Sequence, residues 1–125
     1  EKVVDKVKLL SDQTGAVISV SGAIDLVVDA QKAYIIRNGH PMMARITGTG
    51  CMLTSLIGAF CGANPNHILD AAAAAVCALG VCGELAGQKT LQADGGTLSF
   101  RTYLIDSMSK LTIEQLNGGM KLEVR

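Results

Sequence analysis

Aromatic residues are scarce in this 125-residue sequence: they make up 3% of it, and tryptophan is absent. The core must therefore be built from aliphatic side chains and methionine. An excess charge of either sign is also missing, since 11 basic residues balance 11 acidic ones, and no lysine- or arginine-rich run is interleaved with aromatics. The sequence thus lacks the electrostatic footprint of a nucleic-acid-binding surface, and we expect no nucleic-acid partner.

No C-x-x-C pair occurs among the four cysteines, and the two histidines lie at no recognised metal-binding spacing from them. We therefore predict no metal site built from these side chains, and free thiols in a reducing cytoplasm. A signal-peptide pattern is not seen either, because residues 1–13 are charged and amphipathic. We interpret Cys61, Cys77 and Cys82 as core residues.

No apolar run reaches the roughly 20 residues that a bilayer-spanning helix needs. The two apolar stretches, residues 51–63 and 71–83, are shorter than this, and we interpret them as buried core helices with no membrane partner. Nearly half of the chain, 49%, is nevertheless apolar. So short a chain cannot easily bury that much apolar surface alone. We therefore expect further burial in an oligomer or against another part of a longer protein.

The order of the predicted elements indicates an α/β domain. Helices are predicted at residues 1–14, 51–61, 64–86 and 97–110, and in a short segment that begins with a capping-box spacing at residues 112–115. Strands are predicted at residues 16–20, 25–29, 33–38, 42–46 and 120–124. We expect the first to be a buried, parallel, central strand, and the next three to form an antiparallel meander at the edge of the parallel sheet.

The stretch Thr47–Met52 predicts an anion-binding turn that opens a helix. Backbone N–H groups at a helix N-terminus have no partner within the helix and lie at the positive end of its dipole. Gly48 and Gly50 allow a ligand to approach the backbone closely and permit a positive φ. The stretch is not a Walker loop, because no Gly-Lys-Ser/Thr follows. Leu53 stands where a dinucleotide-binding motif needs Gly or Ala.

Cys51 is the chemically distinctive residue of this turn. A thiol in the first turn of a helix is more readily ionised, so it could accept a proton from a substrate hydroxyl or hold that hydroxyl in line. The alternative is a small buried side chain at the start of a core helix. A further alternative makes Cys51 a covalent nucleophile with His40 as its base.

Four segments, taken in order, resemble the hydroxyethylthiazole kinase family of the ribokinase-like superfamily: Val20–Asp25, Asn38–Pro41, Thr47–Thr54 and Gly58–Phe60. Cysteine at the end of the Gly-x-Gly-Cys turn distinguishes this family from other ribokinase-like proteins, because most of them carry aspartate there. The resemblance implies a three-layer α/β/α fold. Members are about twice this length, so residues 1–125 would be the C-terminal half of one kinase domain, with the C-terminal part of its sheet and a helical layer.

The resemblance also implies an activity and roles for individual residues. Members phosphorylate the hydroxyl of 4-methyl-5-(2-hydroxyethyl)thiazole in thiamine biosynthesis and salvage, with ATP and Mg²⁺. They form homotrimers whose thiazole sites lie between subunits. Ser21 matches a residue that contacts ATP, Gly48 matches one that contacts the thiazole alcohol, Gly50 would complete the anion hole, and Cys51 matches the presumed catalytic position.

Two alternatives to this function stay open from the sequence. One is a related kinase of a sugar, pyrimidine or vitamin alcohol, against which Cys51 argues. The other is a non-catalytic module that holds a nucleotide or phosphate at the same turn.

Asp25 and Asp29 belong either to an Mg²⁺–phosphate network or to ordinary turns, and aspartate beside a short strand is commonly a turn former.

Overall fold

The computed structural model describes residues 2–125, which form an α/β arrangement of five α-helices, four short strands and one 3₁₀ helix. In chain order the elements are α1 (Lys2–Thr14), β1 (Ile18–Val20), β2 (Asp25–Val28), β3 (Ala33–Ile36), the 3₁₀ helix (Pro41–Arg45), α2 (Thr49–Ala63), α3 (Ile68–Gln92), α4 (Thr97–Lys110), α5 (Ile113–Gly119) and β4 (Leu122–Val124). The α/β class is confirmed. So is the first helix, apart from Glu1, which lies outside the described residues.

The four strands form one antiparallel sheet in the order β1-β2-β3-β4. The prediction of a buried, parallel, central first strand was therefore wrong for residues 2–125, in which β1 is a largely exposed edge strand. Its connection to β2 explains the difference. The turn is only four residues long, and the backbone N–H of Gly22 donates to Asp25 Oδ1 at 2.9 Å. A connection this short can join only antiparallel neighbours, because a parallel crossover needs a dozen residues or more.

Helices cover both faces of the sheet and produce three layers. Alternate strand residues point to opposite faces. Val28, Ala33 and Ile35 pack with Val4 of α1, whereas strand residues of the opposite register pack against α3 and include Val27, Tyr34 and Ile36. The expected three-layer α/β/α arrangement, with a helical layer beside the sheet, is confirmed.

The central helix α3 is buried on nearly all sides between residues 71 and 83, as predicted. Both of its predicted ends were wrong. Asn64 ends α2 instead of starting α3, because its backbone N–H and its side-chain amide donate to the carbonyl of Phe60 at 3.1 and 2.9 Å. At the other end the helix continues to Gln92, so the segment expected to start a polar connection at Gln88 is helical instead.

The segment Met42–Ile46 is not a strand, contrary to the prediction. Pro41 begins a 3₁₀ helix, and the backbone N–H of Met42 donates to Nδ1 of His40 at 3.2 Å. Proline suits the first position of a helix, where its missing N–H costs nothing. Only two strands, β2 and β3, therefore follow β1 in the meander. The fourth strand of the sheet is β4, which comes from the end of the chain and pairs with β3.

Local sequence signals at the end of the chain are confirmed. The helix predicted at residues 97–110 has those bounds. At α5 the capping box is complete: the N–H of Gln115 donates to the Thr112 hydroxyl at 3.1 Å, and the N–H of Thr112 donates to the Gln115 side chain at 3.1 Å. β4 supplies the predicted final strand.

By length and composition α3 could cross a membrane, but 67% of its most apolar window is buried within the structure. Such burial is typical of the core helix of a folded domain. The four cysteines are free. Cys77 and Cys82 lie fully buried on α3, and Cys61 packs against the core, which confirms their predicted place in it.

Candidate functional site

The N-terminus of α2 has the backbone that an anion-binding turn requires. Gly48 is the residue before the helix, and its φ of 103° lies in the left-handed region that glycine adopts without strain. It provides no side chain to cap the helix. The first bond within the helix joins the N–H of Met52 to the carbonyl of Gly48 at 2.9 Å. The N–H groups of Thr49, Gly50 and Cys51 thus precede the intrahelical ladder and are available to a ligand.

A cleft of about 720 Å³ lies on one side of this turn. Ser21 and Gly50 both line it, so the structure brings together the predicted ATP-contacting residue and the predicted anion-hole glycine. The remaining walls come from the β1–β2 turn, from the segment that follows β3, and from α3. They include Gly22, Ala23, Asp25, Asn38, Gly39, His40, Pro41, Met43, Ala44, Thr49, Leu53, Val76, Leu79 and Gly80.

A second depression of about 570 Å³ lies between α2 and α4. Gly48 and Cys51 line this groove, and Cys51 is exposed, so the alternative of a buried packing cysteine was wrong. The rest of the lining is mostly apolar and contains one charged residue, Arg101, together with Met52, Ser55, Leu56, Leu79, Ile105 and Met108.

The four predicted site residues therefore fall into two pairs. Ser21 and Gly50 face the cleft, Gly48 and Cys51 face the groove, and the first turn of α2 borders both cavities. The sequence did not predict this division. It is set by the packing of α2 on α3, which leaves a cavity on each side of the first turn of α2.

His40 is not placed to act as a base for Cys51. It lines the cleft, not the groove, and its Nδ1 accepts the N–H that caps the 3₁₀ helix. Its ring packs against Phe100, with ring centroids 5.7 Å apart. The arrangement therefore does not support a Cys51–His40 nucleophile pair.

Asp25 is the carboxylate that lines the cleft, and it also shapes the turn that carries Ser21, through the hydrogen bond from Gly22. Burial raises the pKa of its carboxyl, and the hydrogen bond from Gly22 partly opposes this shift. Asp29 is a turn former: its Oδ1 accepts from the N–H groups of Gln31 and Lys32 at 2.8 and 2.7 Å.

Within residues 2–125, no three His, Cys, Asp or Glu side chains converge in a way that could hold a metal ion. A magnesium ion in a phosphotransferase uses one or two carboxylates together with phosphate oxygens and water. Asp25 could supply the carboxylate ligand of such a coordination shell. It lines the same cleft as the first turn of α2, whose N–H groups have no partner within the helix.

Sequence reasoning missed three residues near these cavities. Asn38 is 6% exposed and hydrogen-bonded to the segment before β4. Glu84 accepts a hydrogen bond from the backbone N–H of Gly39, in the wall of the cleft. Arg101 faces the groove. The available signal for Glu84 was an acidic residue directly after the apolar stretch at residues 71–83. Its partners lie 37 to 46 positions away, so no local pattern identifies them.

These features define an α/β protein whose uncapped, glycine-led helix N-terminus lies between two cavities. The model of the hydroxyethylthiazole kinase family matches residues 1–114. A hydroxyethylthiazole kinase from Clostridium acetobutylicum is 43% identical over 123 residues, which cover 98% of this chain and 45% of that protein. One from Desulfovibrio desulfuricans is 47% identical over 109 residues, covering 82% of this chain and 38% of that protein.

Structural comparison agrees. A solved hydroxyethylthiazole kinase structure from Pyrococcus horikoshii has a TM-score of 0.83 and 26% sequence identity, covering 99% of this chain and 46% of that one. The chain belongs to the hydroxyethylthiazole kinase family. It spans about half the length of these relatives.

Proposed function

We propose that the intact protein transfers the γ-phosphoryl group of ATP to the hydroxyl of 4-methyl-5-(2-hydroxyethyl)thiazole. One observation carries the proposal: the first turn of α2 exposes uncapped N–H groups between two separate cavities. A kinase must hold a donor and an acceptor on opposite sides of the phosphoryl group that moves. Residues 1–125 would then form the C-terminal half of a single kinase domain.

The cleft is the donor side in this proposal. Ser21 seats ATP, and the N–H of Gly50 faces the phosphoryl group, where the positive end of the α2 dipole favours negative charge. Asp25 is the residue of this cleft placed to hold Mg²⁺ or one of its water ligands. When bound with ATP, Mg²⁺ neutralises phosphate charge.

The groove is the acceptor side. Its apolar side chains suit an uncharged heterocycle, with Gly48 beside the hydroxyethyl group and Cys51 near the hydroxyl. The alcohol oxygen forms a bond to phosphorus as the bond from phosphorus to the β–γ bridging oxygen of ATP breaks. The alcohol proton passes to the Cys51 sulfur, which acts as the thiolate and becomes the thiol, while the N–H groups of Gly50 and Cys51 stabilise the charge on the transferring group.

The remaining elements of the proposal concern the whole protein. It would act in thiamine biosynthesis in the cytoplasm, as a homotrimer with thiazole sites between subunits. Nearly half of the chain is apolar, 49%, and so large a share supports additional burial in the intact protein. The groove also stays open on its outer side, where a second subunit could complete it.

The test is ADP release with Mg-ATP and the hydroxyethylthiazole, measured on the intact protein and on this chain alone. We expect thiazole-dependent ADP release from the intact protein only. Cys51→Ala should lower kcat by about a hundredfold, the effect typical of removing a group that handles the proton. Cys61→Ala, at a cysteine of the same helix outside both cavities, is the matched control and should retain wild-type kcat.

Three results would count against parts of this proposal. ATP binding without any ADP release would indicate a binding module. Faster turnover of a sugar, pyrimidine or vitamin alcohol would indicate a related kinase. An unchanged kcat in Cys51→Ala would remove the role given to the thiol while leaving the reaction itself in place.

A further inference from the structure

A polar junction behind the cleft joins three distant segments of the chain. Asn38 is its centre: its side-chain Nδ2 donates to the carbonyl of Gly119 at 2.8 Å, and its Oδ1 accepts from the N–H of Lys121 at 2.7 Å. Both ends of this nearly buried amide are therefore satisfied. The junction ties the segment after β3 to the connection between α5 and β4.

Glu84 adds a charged member to the junction. Its carboxylate accepts from the N–H of Gly39 at 3.3 Å, from Asn38 Nδ2 at 3.3 Å and from Lys121 Nζ at 2.7 Å. Its side chain is only 23% exposed. A part-buried carboxylate with several donors is held in one orientation. Removing it would leave the Gly39 N–H without its partner, whereas Asn38 Nδ2 would still donate to Gly119 and Lys121 Nζ would still be solvated.

The segment Asn38–Met43 lies directly on the backbone of α3. Three glycines of that helix face it: a Cβ added at Gly80 would lie 2.5 Å from Asn38 Cβ, and one at Gly83 or Gly87 would overlap Met43 or His40. This close packing places the Gly39 N–H within reach of Glu84, which lies one helical turn after Gly80 on α3.

The same segment is a wall of the cleft and is linked to the anion-binding turn. Residues 38 to 41 and Met43 line the cleft, and the Thr49 hydroxyl donates to the carbonyl of Met43 at 3.2 Å. Glu84 does not line the cleft; it borders a separate cavity on the other side of His40. Any effect of Glu84 on a ligand in the cleft must therefore pass through the segment.

We propose that Glu84 is a positioning residue that fixes the Asn38–Met43 wall and thereby sets the affinity of the donor side for ATP. This inference rests on the proposed function, because it takes the cleft as the nucleotide side. It assigns Glu84 no contact with the acceptor in the groove, so the two substrates should respond differently to its loss.

The experiment compares Glu84→Ala, Glu84→Gln and Glu123→Ala in the intact protein. Glu123 is the control because it is a carboxylate that accepts from two arginines, Arg37 and Arg125, and lines none of the three cavities described. We expect Glu84→Ala to raise KM for ATP about tenfold, the effect of losing one charge-assisted hydrogen bond. KM for the thiazole should stay within about twofold.

Glu84→Gln separates geometry from charge. Its Oε1 can still accept from Gly39, so we expect a rise in KM for ATP of only about threefold. Amide hydrogen exchange over residues 38–45 should become faster in Glu84→Ala than in Glu84→Gln, and should be unchanged in Glu123→Ala. Exchange and calorimetric ATP binding require no turnover, so both can be measured even if the kinase assignment fails.

Equal rises in both KM values, or a wild-type KM for ATP in Glu84→Ala, would overturn the positioning role. So would unchanged exchange over residues 38–45. Faster exchange with weaker ATP binding but no ADP release in any variant would support the role of Glu84 and overturn the proposed reaction instead. If Glu84→Ala does not fold, an unaltered exchange rate and KM in Glu84→Gln and in Asn38→Asp would still refute the inference.

Discussion

The helices α2 and α3 have similar apolar compositions but very different environments. α3 is buried along most of its length: Ala75, Cys77 and Cys82 have no exposed surface. α2 has no fully buried residue. One of its sides packs on the core through Leu53 and Ile57, while the opposite side presents small residues to solvent.

This difference shows that hydropathy predicts a helix's affinity for an apolar environment but not which neighbours provide that environment. α3 meets the sheet on one side and α2 and α4 on others, so nearly every face is covered between residues 71 and 83. α2 has α3 on one side within residues 2–125. Its uncovered face consists of small residues, such as Gly58 and Ala59, which allow close approach of another backbone. The predictions below test whether the two helices differ as strongly in the intact protein.

The largest expected effect comes from introducing the same charge into each helix. Ala75→Asp places a carboxylate at a fully buried site with no partner, and should destabilise the protein by more than about 4 kcal/mol. Ala59→Asp, on the exposed face of α2, should cost less than about 1 kcal/mol. Urea unfolding of both variants in the intact protein, or the yield of soluble protein if Ala75→Asp does not fold, provides the measurement. Equal and severe losses would mean that α2 is as fully covered as α3.

A smaller effect, of opposite sign in the two helices, is expected from replacing glycine by alanine. At Gly80 of α3 the new Cβ would lie 2.5 Å from Asn38 Cβ and 3.1 Å from its backbone carbon, so Gly80→Ala should destabilise by about 2 kcal/mol. At Gly58 of α2 the Cβ meets open space, so Gly58→Ala should stabilise by up to about 1 kcal/mol through helix propensity. Thermal unfolding of the two variants checks both signs. A lower Tm for Gly58→Ala would reveal a contact on the α2 face.

Features encoded by neighbouring residues could be predicted from the sequence. The bounds of α4 and the Thr112–Gln115 capping box depend on side chains within a few positions of each other, and both are confirmed. The glycine turn before α2 is of the same kind, and Gly48 has the positive φ that the pattern allowed. The strand predicted at residues 42–46 failed for an equally local reason, since Pro41 and the His40 cap favour a 3₁₀ helix over extended backbone.

What depends on tertiary packing could not be predicted. Thr47–Met52 has the same local sequence whether Gly48 and Gly50 face one cavity or two, and only the packing of α2 separates them. The hydrogen bonds between Asn38 and Gly119 or Lys121 span more than 80 positions. No periodicity or motif marks such a pair, so a buried asparagine is indistinguishable from a loop residue until the segments meet.

The effect that is smallest at neutral pH concerns the two buried thiols of α3. Burial raises the pKa of both from 9.0 to about 11, and for Cys77 the charge of Asp25 adds to the shift. The folded state therefore retains these protons where the unfolded state loses them. The resulting stabilisation is complete below pH 9 and is lost as pH rises to about 11, on the order of 2 kcal/mol for each thiol. Unfolding free energies measured from pH 8 to 11 should fall less steeply in Cys82→Ala, whatever its absolute stability. Val81→Ala is the matched control, because Val81 is a buried residue of the same helix with no titratable group, and its slope should equal that of the wild type. Equal slopes in all three proteins would mean that α3 admits water around its cysteines, and the contrast between the two helices would be weaker than their packing indicates.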